Sequence, residues 1–155
     1  MKPTFLLTLA AALLAGCAGP QGELVSLAEK RLAMSPDIAW YKHSNEVPVY
    51  DPVRETAVLQ TVMAAGQQQG LNPDTVRRFF AAEMEASRRI QWEWIEAWRK
   101  NLVAPPSQPA KDLGAYMRPQ IDEINARQIS ALARGAQPLS VDQLSVIGAR
   151  FLPKN

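Results

Sequence analysis

Histidine, cysteine and long hydrophobic runs are scarce in this 155-residue sequence, and each scarcity narrows what the chain can do. His43 is the only histidine and Cys17 is the only cysteine. We therefore expect neither a histidine-based metal centre nor a Ser-His-Asp triad, and one cysteine forms no disulfide within the chain. The sequence has 17 basic and 15 acidic residues, a net charge of +2. Because nucleic-acid binding needs a strongly basic surface, we expect no nucleic-acid partner. We also expect no cofactor.

The one strongly apolar run lies near the N-terminus. It covers residues 5–14, follows the basic Lys2, and is too short to span a bilayer. The sequence LAGC, which ends at Cys17, comes directly after it. This pattern resembles bacterial lipoprotein signals, in which cleavage precedes the cysteine and the cysteine is acylated. The alternative is an ordinary secretory signal cut near Ala18, and both alternatives predict export.

These observations divide the chain into three parts. Residues 1–16 form the predicted signal peptide, residues 17–22 a tether, and residues 23–155 a single domain of ordinary size. The lipoprotein signal predicts a periplasmic protein that is anchored to a membrane through an acylated Cys17. The alanine at position 18 is similar to that of outer-membrane lipoproteins, which favours the outer membrane.

The rest of the sequence predicts helices that are separated by proline and glycine. Three helix-start signals are Asp51-Pro52, Asn72-Pro73 and Ser140-x-x-Gln143. We expect a long helix from about Pro73 to Leu102, and at Pro36 either a kink or a restart of the helix with Ser35 as its cap. No segment shows the alternation of a strand, so the sequence predicts an all-α bundle of five to six helices.

Polar residues lie on the apolar face of the longest predicted helix. Ser87 and Gln91, one turn apart, interrupt a stripe that is otherwise aliphatic and aromatic. Arg31 and Lys42 are eleven residues apart, a spacing that returns a helix to within about 20° of the same face. Polar groups that face a core need partners. Cations and an amide in these positions therefore predict a site for a small anion.

Taken singly, these residues have ordinary explanations, such as a solvated arginine or an N-cap aspartate. Taken together, they resemble the active-site signature of the all-α (AroQ-type) chorismate mutases. The residues that carry this resemblance are Arg31, Lys42, Asp51-x-x-Arg54-Glu55 and Ser87-x-x-x-Gln91. The helical tail after Pro109 is similar to that of the secreted gamma subclass, so the resemblance covers nearly all of the predicted domain.

The resemblance implies the rearrangement of chorismate to prephenate in the phenylalanine and tyrosine pathway. This single pericyclic step needs no covalent intermediate, so binding and electrostatics must supply the catalysis. The resemblance implies that Arg31 and Arg54 bind the two carboxylates of the substrate. It also implies that Lys42 and Gln91 donate to the ether oxygen, which gains negative charge in the transition state.

The remaining roles are implied in the same way. Glu55 would accept from the ring hydroxyl with support from Asp51, and Ser87 would contribute on the side of the ring carboxylate. In the secreted subclass a further arginine from the fourth helix of the same chain completes the site. We predict that helix from around Leu113 or Met117 to Ala133, and Arg118 matches the place best. Arg127 and Arg134 are the alternatives.

A hypothesis of a different class competes with the enzyme. It is a non-catalytic helical envelope lipoprotein that binds a protein partner or an aromatic metabolite. This hypothesis predicts that Arg31, Lys42 and Arg54 point to solvent or to a protein interface, whereas the enzyme needs them in one pocket. A homodimer is expected by resemblance to the family.

Overall fold

The computed structural model describes residues 19–154 and contains six α-helices. Their bounds are Pro20–Ala33 (α1), Ser35–Ser44 (α2), Pro52–Gln68 (α3), Pro73–Arg99 (α4), Arg118–Ala133 (α5) and Val141–Gly148 (α6). A π-helical turn, Leu113–Met117, leads into α5, and a 3-10 turn, Ala149–Phe151, follows α6. No strand occurs within residues 19–154. The predicted all-α class and the predicted number of helices are confirmed.

Three helices begin at the predicted start signals, and each has a side-chain cap. Asp51 Oδ1 accepts a hydrogen bond from the Arg54 amide at 2.9 Å. Asn72 Oδ1 accepts one from the Thr75 amide at 3.1 Å. The predicted capping box at the start of α6 forms with both of its hydrogen bonds. Each cap satisfies an amide that the helix leaves unpaired, which stabilises the helix by about 1 kcal/mol.

The chain breaks at Pro36 as predicted, but the expected cap does not form. α1 ends at Ala33 and α2 begins at Ser35, with Met34 in the N-cap position and no side-chain capping bond. The prediction that Ser35 caps α2 is therefore wrong. The Ser35 hydroxyl is fully buried and contacts Ser87 Oγ on α4 at 2.8 Å instead. The Ser35 hydroxyl, which was expected to cap the helix, therefore bonds to a residue of another helix instead.

The longest helix stops three residues before the predicted end. α4 ends at Arg99 rather than at Leu102, and Asn101 adopts a φ of +55°. This left-handed conformation ends a helix, and asparagine adopts it more readily than most residues. The connection that follows leads to the π-helical turn, which packs on α2 and α5. Arg118 is thereby placed at the first position of α5.

α4 is the central helix of the bundle. It packs against α1, α2, α3 and α6, while α1 also packs along α5. The main apolar core lies where these helices meet and includes the buried residues Leu24, Leu32, Phe80, Ile90, Ile129 and Leu144. Because all of the helices except α2 contribute to this core, the main core fixes the positions from which the polar side chains extend.

The tryptophans of α4 belong mostly to the packing of the bundle. Trp98 is buried in a second apolar cluster beneath α2. Trp94 is half-buried, and its indole N–H donates to the carbonyl of Phe151 at 2.7 Å. Trp92 is exposed. These contacts make Trp94 and Trp98 packing residues of the bundle.

The predictions about the N-terminus fall mostly on residues that are not described. The signal segment, residues 1–16, and Cys17 lie outside the described range. Residues 20–22 of the predicted tether already belong to the first turn of α1. Across residues 19–154, no helix is both long enough and apolar enough to cross a membrane.

Candidate active site

A cavity whose wall carries charged and apolar side chains lies between the first four helices and the start of α5. Its sixteen lining residues are Arg31, Ile38, Lys42, Val47, Val49, Asp51, Arg54, Glu55, Val58, Met84, Ser87, Arg88, Gln91, Leu113, Arg118 and Ile121. All eight residues that the sequence analysis selected for substrate binding are among them. These eight residues come from five helices of one chain, so the fold brings together side chains that are far apart in the sequence.

The cavity has a marked excess of positive charge. Its cationic residues are Arg31, Lys42, Arg54, Arg88 and Arg118, and its carboxylates are Asp51 and Glu55. The excess is three positive charges. A concave site lined by charges of one sign concentrates ligands of the opposite sign, so the cavity favours a ligand with more than one negative charge.

A short chain of polar groups crosses the cavity wall from α2 to α4. Ser35 Oγ lies 2.8 Å from Ser87 Oγ, and the Gln91 amide donates to Ser87 Oγ at 3.1 Å. An amide nitrogen carries two N–H groups, so Gln91 retains one for a ligand. Its oxygen is buried and has no hydrogen-bond partner among residues 19–154. A buried polar atom without a partner is costly, which is typical of a site that a ligand completes.

Lys42 reaches the cavity from the last turn of α2. Its Nζ donates to the carbonyl of Val49 at 2.5 Å, so the loop between α2 and α3 holds the ammonium group in place. Burial lowers the pKa of Lys42, the carboxylates of Glu55 and Asp51 oppose this, and the charge of Arg118 lowers the pKa further. An ammonium group has three donors, so two remain for a ligand.

Glu55 is engaged by a residue that the sequence analysis did not select. Arg88, on α4, forms an ion pair with Glu55 through Nη1 and Oε2. Its guanidinium also lies over the ring of Tyr50, 5.1 Å from the ring centroid. Arg88 is off the apolar stripe of α4, so periodicity gave no signal for it. Only the packing of α3 against α4 reveals that it faces Glu55 and the cavity.

Arg31 is held by a second carboxylate that lies behind the cavity wall. Glu83 Oε2 is 2.8 Å from Arg31 Nε, and Gln128 Nε2 donates to Glu83 Oε1 at 2.6 Å. Burial raises the pKa of Glu83 to about 7, against the opposing effects of Arg31 and of the Gln128 hydrogen bond. The sequence analysis missed Glu83 and Gln128. Both lie on the apolar faces of their helices, which is the signal that had selected Ser87 and Gln91.

The structure separates the three candidate arginines of the fourth predicted helix. Arg118 lines the cavity. Arg127 pairs with Glu23 at 3.4 Å, and Arg134 pairs with the same carboxylate on the surface between α1 and α5. Arg118 and Arg127 are nine positions apart, which places them about 180° apart around the helix. The assignment of Arg118 to the site therefore has the support of position.

Arg54 is only loosely held at the cavity. Its side chain is 41% exposed, and its nearest carboxylate is Asp122 at 3.8 Å. Its backbone is nevertheless fixed, because the Arg54 amide donates to the Asp51 cap of α3. A guanidinium on a fixed backbone with a weak partner can turn toward an incoming anion at little cost.

Comparison with known proteins relates this arrangement to one family. The family model for chorismate mutase type II matches residues 22–92. A monofunctional chorismate mutase from Enterobacter agglomerans is 32% identical over 114 residues, which are 73% of this chain and 61% of that protein. A secreted chorismate mutase from Mycobacterium tuberculosis is 30% identical over 110 residues, which are 71% of this chain and 54% of that protein. The chain thus spans between half and two thirds of the length of these curated relatives.

A solved structure gives the same result for the fold. The crystal structure of a chorismate mutase from Burkholderia thailandensis superposes with a TM-score of 0.70 at 36% sequence identity. The match covers 74% of this chain and 72% of that chain. Sequence and fold agree over about three quarters of the chain. The chain belongs to the type II chorismate mutase family.

Proposed function

We propose that this chain is an isomerase that converts chorismate to prephenate. The observation that carries the proposal is that one chain closes a cavity on which the cationic residues Arg31, Lys42 and Arg54 converge with the amide of Gln91. The competing binding lipoprotein requires those cations in solvent or at a protein interface. Family membership supplies the reaction, and the charge of the cavity fits a substrate with two carboxylates.

Arginines are proposed to hold the two carboxylates of chorismate. Arg31 is fixed by Glu83, and Arg118 stands across the cavity at the start of α5. Arg54 is free to turn inward from α3. Forked guanidinium contacts to a carboxylate contribute about 1.5–3 kcal/mol each. Binding both carboxylates at fixed positions selects the compact conformer in which the two reacting arms meet.

Lys42 and Gln91 are proposed to stabilise the breaking ether bond. The ether oxygen gains negative charge as its bond to the ring breaks, and the two side chains have free N–H donors at the cavity. These donors are already positioned, Lys42 by the Val49 carbonyl and Gln91 by Ser87. Preorganised donors stabilise developing charge more than they stabilise the ground state, so they act mainly on kcat.

Glu55 is proposed to accept a hydrogen bond from the ring hydroxyl of chorismate. Its Oε2 atom is paired with Arg88, which leaves Oε1 for the substrate. Asp51 supports this wall by capping α3 one turn before Glu55. Ser87 is proposed to lie on the side of the ring carboxylate, where it also holds the Gln91 amide.

Export and anchoring are part of the proposal. The apolar run before Cys17 and the secreted Mycobacterium relative support a periplasmic location after cleavage of residues 1–16. Acylation of Cys17 would anchor the domain of residues 23–155, in the outer membrane by preference. A homodimer is also proposed, although the cavity draws all of its described walls from one chain. Mass spectrometry of the N-terminal peptide tests acylation, and light scattering tests the dimer.

The experiment is the loss of chorismate ultraviolet absorbance when the purified mature domain is added. The Arg54→Ala variant is expected to lower kcat/KM by about 10- to 100-fold, because one charge-assisted carboxylate contact is removed. The matched control is Arg77→Ala, which removes an exposed arginine of α4 that pairs with Asp74. Prephenate formation by the wild type and by the control supports the enzyme. A folded wild type without turnover would favour the binding lipoprotein.

A further inference from the structure

Glu83 is the most deeply buried carboxylate among the described residues. Its side chain is 0% exposed, and it lies on α4 between Phe80 of the core and Ser87 of the cavity. It does not line the cavity itself. A buried carboxylate is costly unless it is paired, and hydrophobic residues of similar size often serve stability better. Its position therefore points to a role other than packing.

The two oxygens of Glu83 face different helices, Oε2 in an ion pair that is not aligned as a hydrogen bond and Oε1 in a hydrogen bond. Oε2 lies 2.8 Å from Arg31 Nε on α1, and Oε1 accepts from Gln128 Nε2 on α5 at 2.6 Å. Gln128 is as fully buried as Glu83, and Arg31 is only 5% exposed. The carboxylate reaches the guanidinium from its Nε side. The terminal nitrogens of Arg31 remain available to the cavity that this residue lines.

We propose that Glu83, supported by Gln128, is a positioning residue that fixes the guanidinium of Arg31 at the cavity wall, and that binding of a substrate carboxylate there draws a proton onto Glu83. The inference rests on the proposed chorismate mutase function. A guanidinium that is held from behind needs no reorganisation when its ligand arrives. Glu83 acts through Arg31 and does not itself touch the substrate.

The proton linkage follows from placing two carboxylates on one guanidinium. Burial already raises the pKa of Glu83 to about 7 when the cavity is empty. A substrate carboxylate on the other side of Arg31 adds negative charge nearby, which raises that pKa further. Near neutral pH, Glu83 is then protonated in the complex but partly deprotonated in the free protein. By linkage, substrate affinity falls as the pH rises through the pKa of Glu83 in the free protein.

The groups in contact with Glu83 determine how its pKa responds to the substrate. Arg31 from α1 is the charge that acts on Glu83, and Gln128 from α5 is neutral. The helices α2, α3 and α6 also pack on α4, but none places a charged group in contact with Glu83 among the described residues. Gln128 is suited to both protonation states. Its amide donates to a carboxylate, and after a flip its oxygen accepts from a protonated Glu83.

The first test is the pH dependence of KM for chorismate between pH 6 and 8. If the substrate raises the pKa of Glu83 by one unit, the KM of the wild type rises by about fivefold over this range. Glu83→Gln keeps the shape and the hydrogen bonds of a protonated Glu83 but does not titrate. Its KM is expected to be independent of pH, near the wild-type value at pH 6. The control is Glu85→Gln, an exposed position on the same helix that should follow the wild type.

The second test asks whether Glu83 acts through Arg31. Glu83→Leu removes both acceptors and is expected to lower kcat/KM by about tenfold or more, whereas Glu83→Gln retains most of the activity. In an Arg31→Gln background the same Glu83→Leu change should have almost no further effect on kcat/KM. Thermal unfolding of each variant identifies loss of fold, and the double variant leaves no buried charge unpaired.

The outcomes separate this inference from the proposed function. Wild type that forms prephenate establishes the function whatever the Glu83 variants do. A wild-type KM that does not change with pH, a Glu83→Gln profile that matches the wild type, or a Glu83→Leu loss that is undiminished without Arg31 overturns the inference alone. A folded wild type with no turnover overturns both. If Glu83→Leu does not fold, the profile of Glu83→Gln decides.

Discussion

Within four turns of α4, side chains enter two regions that are packed in different ways. Phe80 and Ile90 enter the main core, where their neighbours are apolar and buried. Ser87 and Gln91 enter the cavity, where hydroxyl, amide and charged groups face one another. The buried residues that form the main core are all apolar. The cavity leaves Gln91 Oε1 unpaired and places five cations beside two carboxylates.

The difference shows which part of the molecule was selected for stability and which for chemistry. Burial and shape are enough to account for the core, because hydrophobic contacts are non-directional. The cavity has an excess of positive charge and an unpaired amide oxygen on Gln91, which cost stability in the absence of a ligand. A dianionic substrate would balance the charge. Substitutions in the two regions should therefore separate stability from activity.

Leu144→Ala should have the largest effect on stability. Leu144 on α6 is fully buried in the main core and does not line the cavity. Truncating a buried leucine costs about 2–5 kcal/mol of unfolding free energy, because transfer energy is lost and a cavity remains. The kcat/KM of the molecules that remain folded should be close to that of the wild type.

Chemical denaturation at one temperature, with kinetics well below the unfolding transition, measures both quantities for Leu144→Ala. Val146→Ala on the same helix is the control, since Val146 is 70% exposed and its truncation should cost little. A large loss of kcat/KM in fully folded Leu144→Ala would show that the core and the cavity are not separable.

Arg118→Ala should have a smaller effect, and it should lower activity rather than stability. The guanidinium lines the cavity and has no ion pair among the described carboxylates, so its loss should leave the unfolding free energy nearly unchanged. Losing one charge-assisted contact to a substrate carboxylate should lower kcat/KM by about 10- to 100-fold. Steady-state kinetics beside a thermal melt measures the two effects.

Arg127→Ala is the matched control for Arg118→Ala, because Arg127 lies on the opposite face of α5 and pairs with Glu23. Its kcat/KM should match that of the wild type, and loss of an exposed ion pair costs at most about 1 kcal/mol. If Arg127→Ala lost activity and Arg118→Ala kept it, the assignment of the completing arginine would be reversed.

Much of the fold follows from local signals in the sequence. The caps at Asp51, Asn72 and Ser140 were predicted because each uses a side chain to satisfy amides within one turn. Ser35 was assigned wrongly because its hydroxyl has a partner on α4, and local preference cannot show such a partner. The early end of α4 depends on the backbone conformation of Asn101. Boundaries of this kind are decided by packing as much as by propensity.

The residues of the site also divide into those that the sequence could reveal and those that depend on packing. The eight residues selected from the sequence all line the cavity, because the resemblance supplied an order and a spacing that no single helix contains. Periodicity could have identified Glu83 and Gln128, because both are polar residues on the apolar faces of their helices. Periodicity could not have identified Arg88, because the contact of this residue with Glu55 depends on how α3 packs against α4. A supporting residue such as Arg88 is identified only from the tertiary structure.

The most direct test of the account is the effect of Lys42→Ala and Gln91→Ala on kcat at saturating chorismate. If these two donors stabilise the charge on the ether oxygen in the transition state, each substitution should lower kcat by about 100- to 1000-fold. KM should change much less. Loss of kcat in both variants, with folding intact by circular dichroism, is the predicted result. An increase in KM with kcat unchanged would contradict it, because the two residues would then only bind the substrate.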